Sequence, residues 1–351
     1  PAGRTTHWLS VVGAPDADEV VFNATGGFDA IGGYQLGIRY GTGPRQAVTF
    51  LMLSLMILSL GTGLYVFALA LEVILGWPIW LSIIASAVVL GFITASGGLT
   101  ATILVQFLAF SFTWFALLPL PFLSLNEIGG WGMLQARLSE GMLTVWPPAD
   151  AAFMPWPAIV FGLGIALAGA SWTTDQAIMQ NVLATQSLED ARRAPLIGGL
   201  IKIAVPLITV VPGLAAAVLI PGLDRPDTAI FQLILRYYPA GLAGIAFLSV
   251  MGAFTAMNTG MITGISNIFT RNIYQQVIRP GADEAHYLRV SRLTTIGALL
   301  LGTLTAFIAS RFTTVYLWIQ EFNIFIIVPV FAVILLGIFR LRTSATGTYA
   351  G

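Results

Sequence analysis

The chain has 351 residues, of which 57% are hydrophobic and only 9% charged, and its mean hydropathy is +0.86. Soluble domains carry roughly 25% charged residues, so this composition excludes a set of water-soluble domains and indicates a polytopic membrane protein. Sixteen basic residues balance sixteen acidic ones, so no basic surface points to nucleic acid. The absence of cysteine excludes disulfides, thiolate metal sites and thiol nucleophiles.

The chain begins with a polar, glycine-rich segment, residues 1–46, which we expect to be a loop on the cytoplasmic side. Eight apolar segments follow, each near the roughly 20 residues that a helix needs to cross about 30 Å of hydrocarbon. Together they form an eight-span core over residues 47–339, and residues 340–351 are expected to be a cytoplasmic tail that leads into a further helix. The predicted spans are 47–76, 79–97, 100–125, 156–178, 196–221, 239–270, 288–310 and 313–339.

The arginines predict the orientation of these spans. If the spans alternate, ten arginines fall on one side and four on the other, so the positive-inside rule makes the first side cytoplasmic. We therefore expect a multi-pass protein of the plasma (inner) membrane, surrounded by the lipid bilayer. The ten are Arg39, Arg45, Arg192, Arg193, Arg271, Arg279, Arg289, Arg292, Arg340 and Arg342, and the four are Arg137, Arg225, Arg236 and Arg311.

The loop between the third and fourth spans, residues 126–154, is then extracellular. Its stretch Gly132–Leu143 is either a short amphipathic helix lying on the membrane or a plain connector.

Ionisable residues inside the spans are candidates for function, because charge is unfavourable in hydrocarbon. Lys202, in the fifth span, either extends to the inner headgroups or faces a substrate. Glu72, at the outer end of the first span, is expected to be an interfacial carboxylate. Gln320 and Glu321 lie about two turns into the last span and point about 100° apart.

The sixth span carries a polar stripe. Thr255, Thr259 and Thr263 recur every four residues, with Asn258 alongside. Threonine hydroxyls either bond the carbonyl four residues back or offer oxygen ligands to a small cation such as Na⁺. Both explanations fit the sequence.

Glycines and prolines interrupt two other spans. Gly162, Gly164 and Gly169 lie in the fourth, and Pro206 and Pro212 lie in the fifth. They indicate broken helices, which expose backbone groups that transporters use to bind ions and substrates. Helix packing alone also explains the glycines.

The sequence contains no pattern of catalytic residues. His7 and His286 lie in polar loops away from any Ser–Asp pair, and neither a zinc-protease motif nor a phosphate-binding loop occurs. We therefore expect a protein that is not an enzyme.

Nine short stretches along the chain form an ordered set of motifs: Tyr34–Gly41, Leu69–Gly76, Gly97–Ala101, Trp172–Gln176, Asp190–Arg192, Lys202–Pro206, Val211–Ala216, Ile319–Glu321 and Leu336–Arg340. In this order they resemble the sodium/solute symporter family, especially its sodium/galactose-type branch. The resemblance covers about residues 30–351 and is specific because the motifs occur in the family's order.

The resemblance implies an all-α transmembrane, leucine-transporter-like fold with two inverted repeats, in which the eight spans correspond to core helices three to ten. By position, Lys202 and Gln320, with Glu321, are expected to bind a polyol-like substrate. Ser59 and Ala168 occupy substrate-facing positions where sugar transporters of the family have asparagine. These two replacements argue against galactose or glucose as the substrate.

The gate and the sodium site are also implied by position. Ser171 stands where sugar transporters of the family have an inner gating tyrosine, and it forms the expected gate with Trp172, Asp175 and Gln176. The family's sodium-binding serine pair falls on two residues without a hydroxyl, Ala256 and Met257. The expected sodium-binding face is therefore Thr255, Ala256, Asn258 and Thr259.

Together these features predict sodium-coupled symport of a small polar organic solute, such as a sugar, a related polyol or an organic acid, by alternating access. The alternative is a transport-incompetent, symporter-like scaffold subunit of a larger complex. Because the first two core helices are not among the eight spans, we expect residues 1–351 alone not to transport. We expect either missing helices or another subunit to complete the fold.

Overall fold

In the computed structural model, the structure describes residues 42–96, 99–139, 141–144, 146–151, 155–169, 187–312 and 315–339. Every regular element in these ranges is helical. The α-helices are α1 (Thr42–Leu75), α2 (Ile79–Ser96), α3 (Leu99–Leu117), α4 (Pro119–Ile128), α5 (Trp131–Arg137), α6 (Leu188–Leu219), α7 (Ala229–Tyr237), α8 (Ala240–Ile268), α9 (Glu284–Ala309) and α10 (Val315–Phe339). Two segments are π-helical, π1 (Ala158–Leu167) and π2 (Phe269–Ile278), and Pro226–Thr228 forms a 3₁₀ turn.

Five helices among the described residues are long and apolar enough to cross a membrane: Gln46–Leu75, Phe107–Ile128, Glu189–Leu219, Ala240–Ile278 and Glu284–Ala309. Shorter apolar helices lie within the predicted second, fourth and eighth spans, at Ile79–Thr94, Ala158–Leu167 and Phe322–Val333. The expectation of an all-helical membrane protein is thus confirmed for the described ranges, whereas the count of eight spans is not.

The fifth predicted span differs most from expectation. Helix α6 begins at Leu188 and not at 196, because Ser187 caps it: the Asp190 backbone N–H donates to the Ser187 hydroxyl (3.1 Å). The expected break at Pro206 and Pro212 is wrong, since α6 continues through both prolines. In an apolar segment each proline removes one hydrogen bond, whereas unwinding the helix would leave several backbone groups without partners.

Helix α1 is the central helix of the described bundle. It packs against α2, α8, α9 and α10, and Leu60 and Leu64 are fully buried in the main apolar core. Two glycines allow this close packing. A Cβ on Gly61 would lie 2.0 Å from Oγ1 of Thr305 on α9, and one on Gly63 would lie 2.2 Å from Oδ1 of Asn258 on α8. Only glycine fits at these two crossings.

Ion pairs link the helix ends on one side of the bundle. Glu72, at the end of α1, pairs with Arg225 (2.5 Å), as expected of an interfacial carboxylate. Glu127, at the end of α4, pairs with Arg236 and accepts a hydrogen bond from the Tyr237 hydroxyl (2.6 Å). These contacts place Arg225 and Arg236 on a common side, as the alternating topology requires.

The loop between the third and fourth predicted spans contains a short helix, which was one of the two predicted alternatives, and is not a plain connector. Helix α5 is shorter than the predicted stretch Gly132–Leu143, because its helical hydrogen bonding ends at Leu138, whose backbone is extended.

Candidate functional site

Three helices that carry predicted substrate-binding residues pack together in a second apolar cluster. Its buried members come from α1, π1 and α10: Val48, Met52, Leu55, Leu167, Ile327, Val330 and Phe331. At Gly169, just beyond π1, a Cβ would lie 3.0 Å from the Phe331 ring. The cluster therefore fixes the positions of the helices that bear Ser59, Ala168 and Gln320.

Ser59 and Gln320 lie on the same side of this cluster. The start of α10 lies near the end of α1, because Asp227, in the loop between α6 and α7, accepts a hydrogen bond from the Val315 backbone N–H (3.0 Å) close to the Arg225–Glu72 pair. The two helices are therefore antiparallel. Ser59 lies four residues beyond Leu55, the last buried contact of α1, and Gln320 lies seven before Ile327, the first buried contact of α10, which is about 6 Å and about 10 Å along the two axes.

The three side chains are partly accessible. Ser59, Ala168 and Gln320 are all half-buried, and the Gln320 Oε1 accepts a hydrogen bond from the Asn323 amide (3.1 Å). Glu321 lies on α10, but its side chain is outside the described part of the structure.

Lys202 lies elsewhere in the described structure. It is exposed on α6, where it lines an open depression with Pro195, Gly199 and Ile203, all from the same helix. Helix α6 packs against α4 and α7. The described residues thus do not bring Lys202 and Gln320 to opposite walls of one depression. The expected gate residues Ser171, Trp172, Asp175 and Gln176 lie outside the described residues.

The threonine stripe on α8 bonds to its own helix. The Thr259 hydroxyl donates to the Thr255 carbonyl (2.8 Å), and the Thr263 hydroxyl donates to the Thr259 carbonyl (2.9 Å). Thr255, Ala256 and Thr259 are buried. Of the two explanations for the stripe, bonding to the carbonyl four residues back is therefore observed.

Asn258 has a role that the sequence did not reveal. Its Nδ2 donates to the Phe254 carbonyl (2.8 Å), whereas its buried Oδ1 has no hydrogen-bond partner among the described residues and faces Gly63 of α1. The side chain thus packs between α8 and α1. The sequence signal was the pair of small residues Gly61 and Gly63 within an otherwise bulky apolar helix.

The described residues include no group of three or more histidine and carboxylate side chains that could hold a metal ion. A cation site in this part of the chain would therefore rely on hydroxyl, amide and carbonyl oxygens, which are ligands that suit hard cations.

A sequence model of the "Sodium:solute symporter family" matches residues 35–351. The chain belongs to this family. Its relatives include "Sodium/glucose cotransporter 4" of Mus musculus, which is 28% identical over 352 residues, or 89% of this chain and 51% of the relative. "Sodium/glucose cotransporter" of Vibrio parahaemolyticus is 26% identical over 316 residues, or 82% of this chain and 58% of the relative. "Sodium/myo-inositol cotransporter 2" of Oryctolagus cuniculus is 27% identical, over 89% and 52% of the two chains.

The fold is similar to that of a Na⁺-coupled sialic acid symporter in its substrate-bound outward-open state. The two superpose with a TM-score of 0.74 at 17% identity, over 90% of this chain and 67% of that one. This likeness confirms an all-helical transporter fold. The chain spans about half the length of the relatives that it matches in sequence.

Proposed function

We propose that this chain forms the core of a sodium-coupled symporter for a small polar organic solute, which works by alternating access in the plasma membrane. The observation that carries the proposal is the family match over residues 35–351, whose relatives are named as sodium cotransporters of glucose, mannose or myo-inositol. In this proposal residues 47–339 are the transport core, and residues 1–46 and 340–351 lie on the cytoplasmic side.

We assign the solute to the region between α1, π1 and α10. Ser59 and Gln320 offer a hydroxyl and an amide on helices that share this apolar cluster, and Ala168, just beyond π1, has a small side chain. Neutral hydrogen-bonding groups suit a sugar or polyol. Lys202 and Glu321 join the site when the helices move between their outward and inward states, and Ser171, Trp172, Asp175 and Gln176 form the inner gate.

Sodium is the coupling ion in this proposal. The Thr259 hydroxyl gives its proton to a carbonyl, so its oxygen retains lone pairs for a cation. Thr255 and Asn258 supply further oxygens on the same helix, whereas Ala256 contributes only its backbone. The ion and the solute are both substrates, and neither is a fixed cofactor.

The second candidate is a symporter-like scaffold subunit that does not transport. It is favoured by Ala256 and Met257, which have no hydroxyl and lie at the positions where the family resemblance predicts the sodium-binding serine pair.

The test is uptake by the native protein in proteoliposomes. Radiolabelled glucose, mannose, myo-inositol and sialic acid are offered with an inward Na⁺ gradient or an equal K⁺ gradient. The symporter proposal predicts saturable uptake of at least one solute under the Na⁺ gradient alone, and the scaffold alternative predicts none under either. For the solute that is transported, Gln320→Ala and Lys202→Ala should raise KM, while the exposed cytoplasmic control Arg279→Ala should not.

A further inference from the structure

A long groove runs along one face of the bundle, between α1, the junction of α8 with π2, and α9. Its volume is about 720 Å³, within the range of sites that hold small molecules. The walls are almost entirely apolar, with Leu53, Ile57, Ile265, Phe269, Leu293 and Leu301 among them. The groove does not contain the predicted solute residues or the threonine stripe.

One end of the groove is polar and basic. Tyr274, His286 and Arg289 line it, and the Tyr274 hydroxyl lies 3.0 Å from Nε2 of His286. Acidic groups nearby already have partners: Glu284 pairs with Arg271 (2.8 Å), and Asp283 accepts the backbone N–H of His286 (3.3 Å).

None of the described carboxylates neutralises the charge of Arg289. Its Nε donates to the Ala285 carbonyl (3.4 Å), and no carboxylate of the described residues forms an ion pair with it. A basic group at the mouth of an apolar groove is complementary to a molecule with an anionic head and an apolar tail.

The dimensions match one leaflet of a bilayer. From Arg289 to Leu301 the groove follows α9 for twelve residues, or about 18 Å, against about 15 Å for half of the hydrocarbon thickness. Next to it on α9, Ile296, Leu300 and Leu304 are exposed, as expected of side chains that face lipid. The groove therefore opens toward hydrocarbon along its length.

We propose that this groove binds an anionic phospholipid of the cytoplasmic leaflet. An acyl chain lies between α1 and α9, and the phosphate accepts hydrogen bonds from Arg289 and His286. The arginine distribution places this end on the cytoplasmic side, where basic pockets between membrane helices bind anionic headgroups. Charge complementarity favours this lipid over a zwitterionic one, whose net charge is zero, and over an apolar helix, which has no group to offset the charge of Arg289.

The test is native mass spectrometry of the detergent-solubilised native protein, which counts individual bound lipids. The probes are dioleoyl-phosphatidylglycerol and dioleoyl-phosphatidylcholine, added separately, and the measured quantity is the Kd of the first lipid bound. Phosphatidylglycerol should bind more tightly than phosphatidylcholine. Arg289→Gln should weaken the binding of phosphatidylglycerol about fivefold, as expected for the loss of one basic side chain near the surface. It should weaken phosphatidylcholine less, because the choline cation offsets the charge of that lipid's phosphate.

Two controls make the result specific. Arg292→Gln removes an exposed charge one turn along α9 that does not line the groove, and it should change binding much less. Gly297→Leu places a side chain in the groove, because Gly297 lines it and a Cβ there meets no atom within 4 Å. This variant should weaken the binding of the first lipid of either type. Gly244→Leu, at an equally open position on α8 outside the groove, should not.

Three results would overturn the proposal. Equal losses of phosphatidylglycerol affinity in Arg289→Gln and Arg292→Gln would indicate attraction by general surface charge only. Unchanged lipid binding by Gly297→Leu would show that another segment or partner occupies the groove. Equal affinity for the two lipids would exclude recognition of the headgroup. Arg289→Gln and Gly297→Leu act on different parts of the groove, so one remains informative if the other misfolds. None of these results depends on solute transport.

Discussion

Gly63→Ala should destabilise the protein through a single contact with Asn258. The added Cβ would lie 2.2 Å from Oδ1, 2.5 Å from Nδ2 and 2.7 Å from Cγ of Asn258. The amide cannot turn aside freely, because it is 1% exposed and its Nδ2 is bonded to the Phe254 carbonyl. Overpacking of this kind destabilises by about 1–3 kcal/mol. At an unfolding entropy of about 2.1 cal/mol/K per residue, 351 residues give a shift of about 1.4 °C per kcal/mol, so the melting temperature should fall by about 1–4 °C.

The assay is the apparent Tm of the detergent-solubilised protein, followed by size-exclusion chromatography after heating. All three close atoms belong to the Asn258 side chain beyond its Cβ, so Asn258→Ala should relieve the clash. The double variant should then be more stable than the sum of the single effects, with a coupling of about 1–2 kcal/mol. Gly213→Ala, where a Cβ meets no atom within 4 Å, is the matched control and should not lower Tm. If Gly63→Ala melts like that control, the close contact of α1 and α8 is wrong.

Three further predictions concern other contacts of these helices. Gly61→Ala should also lower Tm, but Thr305→Gly should not rescue it, because the new Cβ would still lie 2.8 Å from a backbone nitrogen of α9. Asp227→Ala should speed hydrogen exchange at the start of α10, because the carboxylate accepts the first backbone N–H of that helix and a lost cap destabilises by about 0.5–2 kcal/mol. Burial and a hydrogen bond to the Glu127 carboxylate raise the pKa of Tyr237 to about 12. The contact between Tyr237 and Glu127 therefore stabilises the fold fully below about pH 10, and this stabilisation is lost as the pH rises through 12. Glu127→Gln should lower that pKa in a phenolate absorbance titration, and an unchanged value would contradict the contact.

The helices could be predicted from the sequence because hydropathy and length alone determine where an apolar segment crosses a bilayer. Their limits were less accurate. Helix α6 starts earlier than its apolar run because the cap at Ser187 adds a charged, water-facing turn. Its prolines were expected to break it, since proline rules derive mostly from helices in water, where a freed carbonyl finds another partner.

The candidate site was predicted less fully, because it depends on which helices meet. Family position suggested Ser59 and Gln320, which stay predictions, and both lie on helices that share one apolar cluster. Periodicity identified the threonine stripe but could not tell whether its hydroxyls bond their own helix. The packing of Asn258 on Gly63 joins residues almost two hundred positions apart, and a single sequence holds no record of such a pairing.

The central claim is that Na⁺ is the coupling ion. A titration of protein stability with sodium tests this claim most directly, because it needs no knowledge of the solute. An ion that binds only the folded state stabilises by about 2.7 kcal/mol at one hundred times its Kd. The apparent Tm of the native protein should therefore rise with NaCl but not with KCl or choline chloride at equal ionic strength. Thr259→Val should flatten that rise. Identical curves in sodium, potassium and choline would contradict sodium coupling.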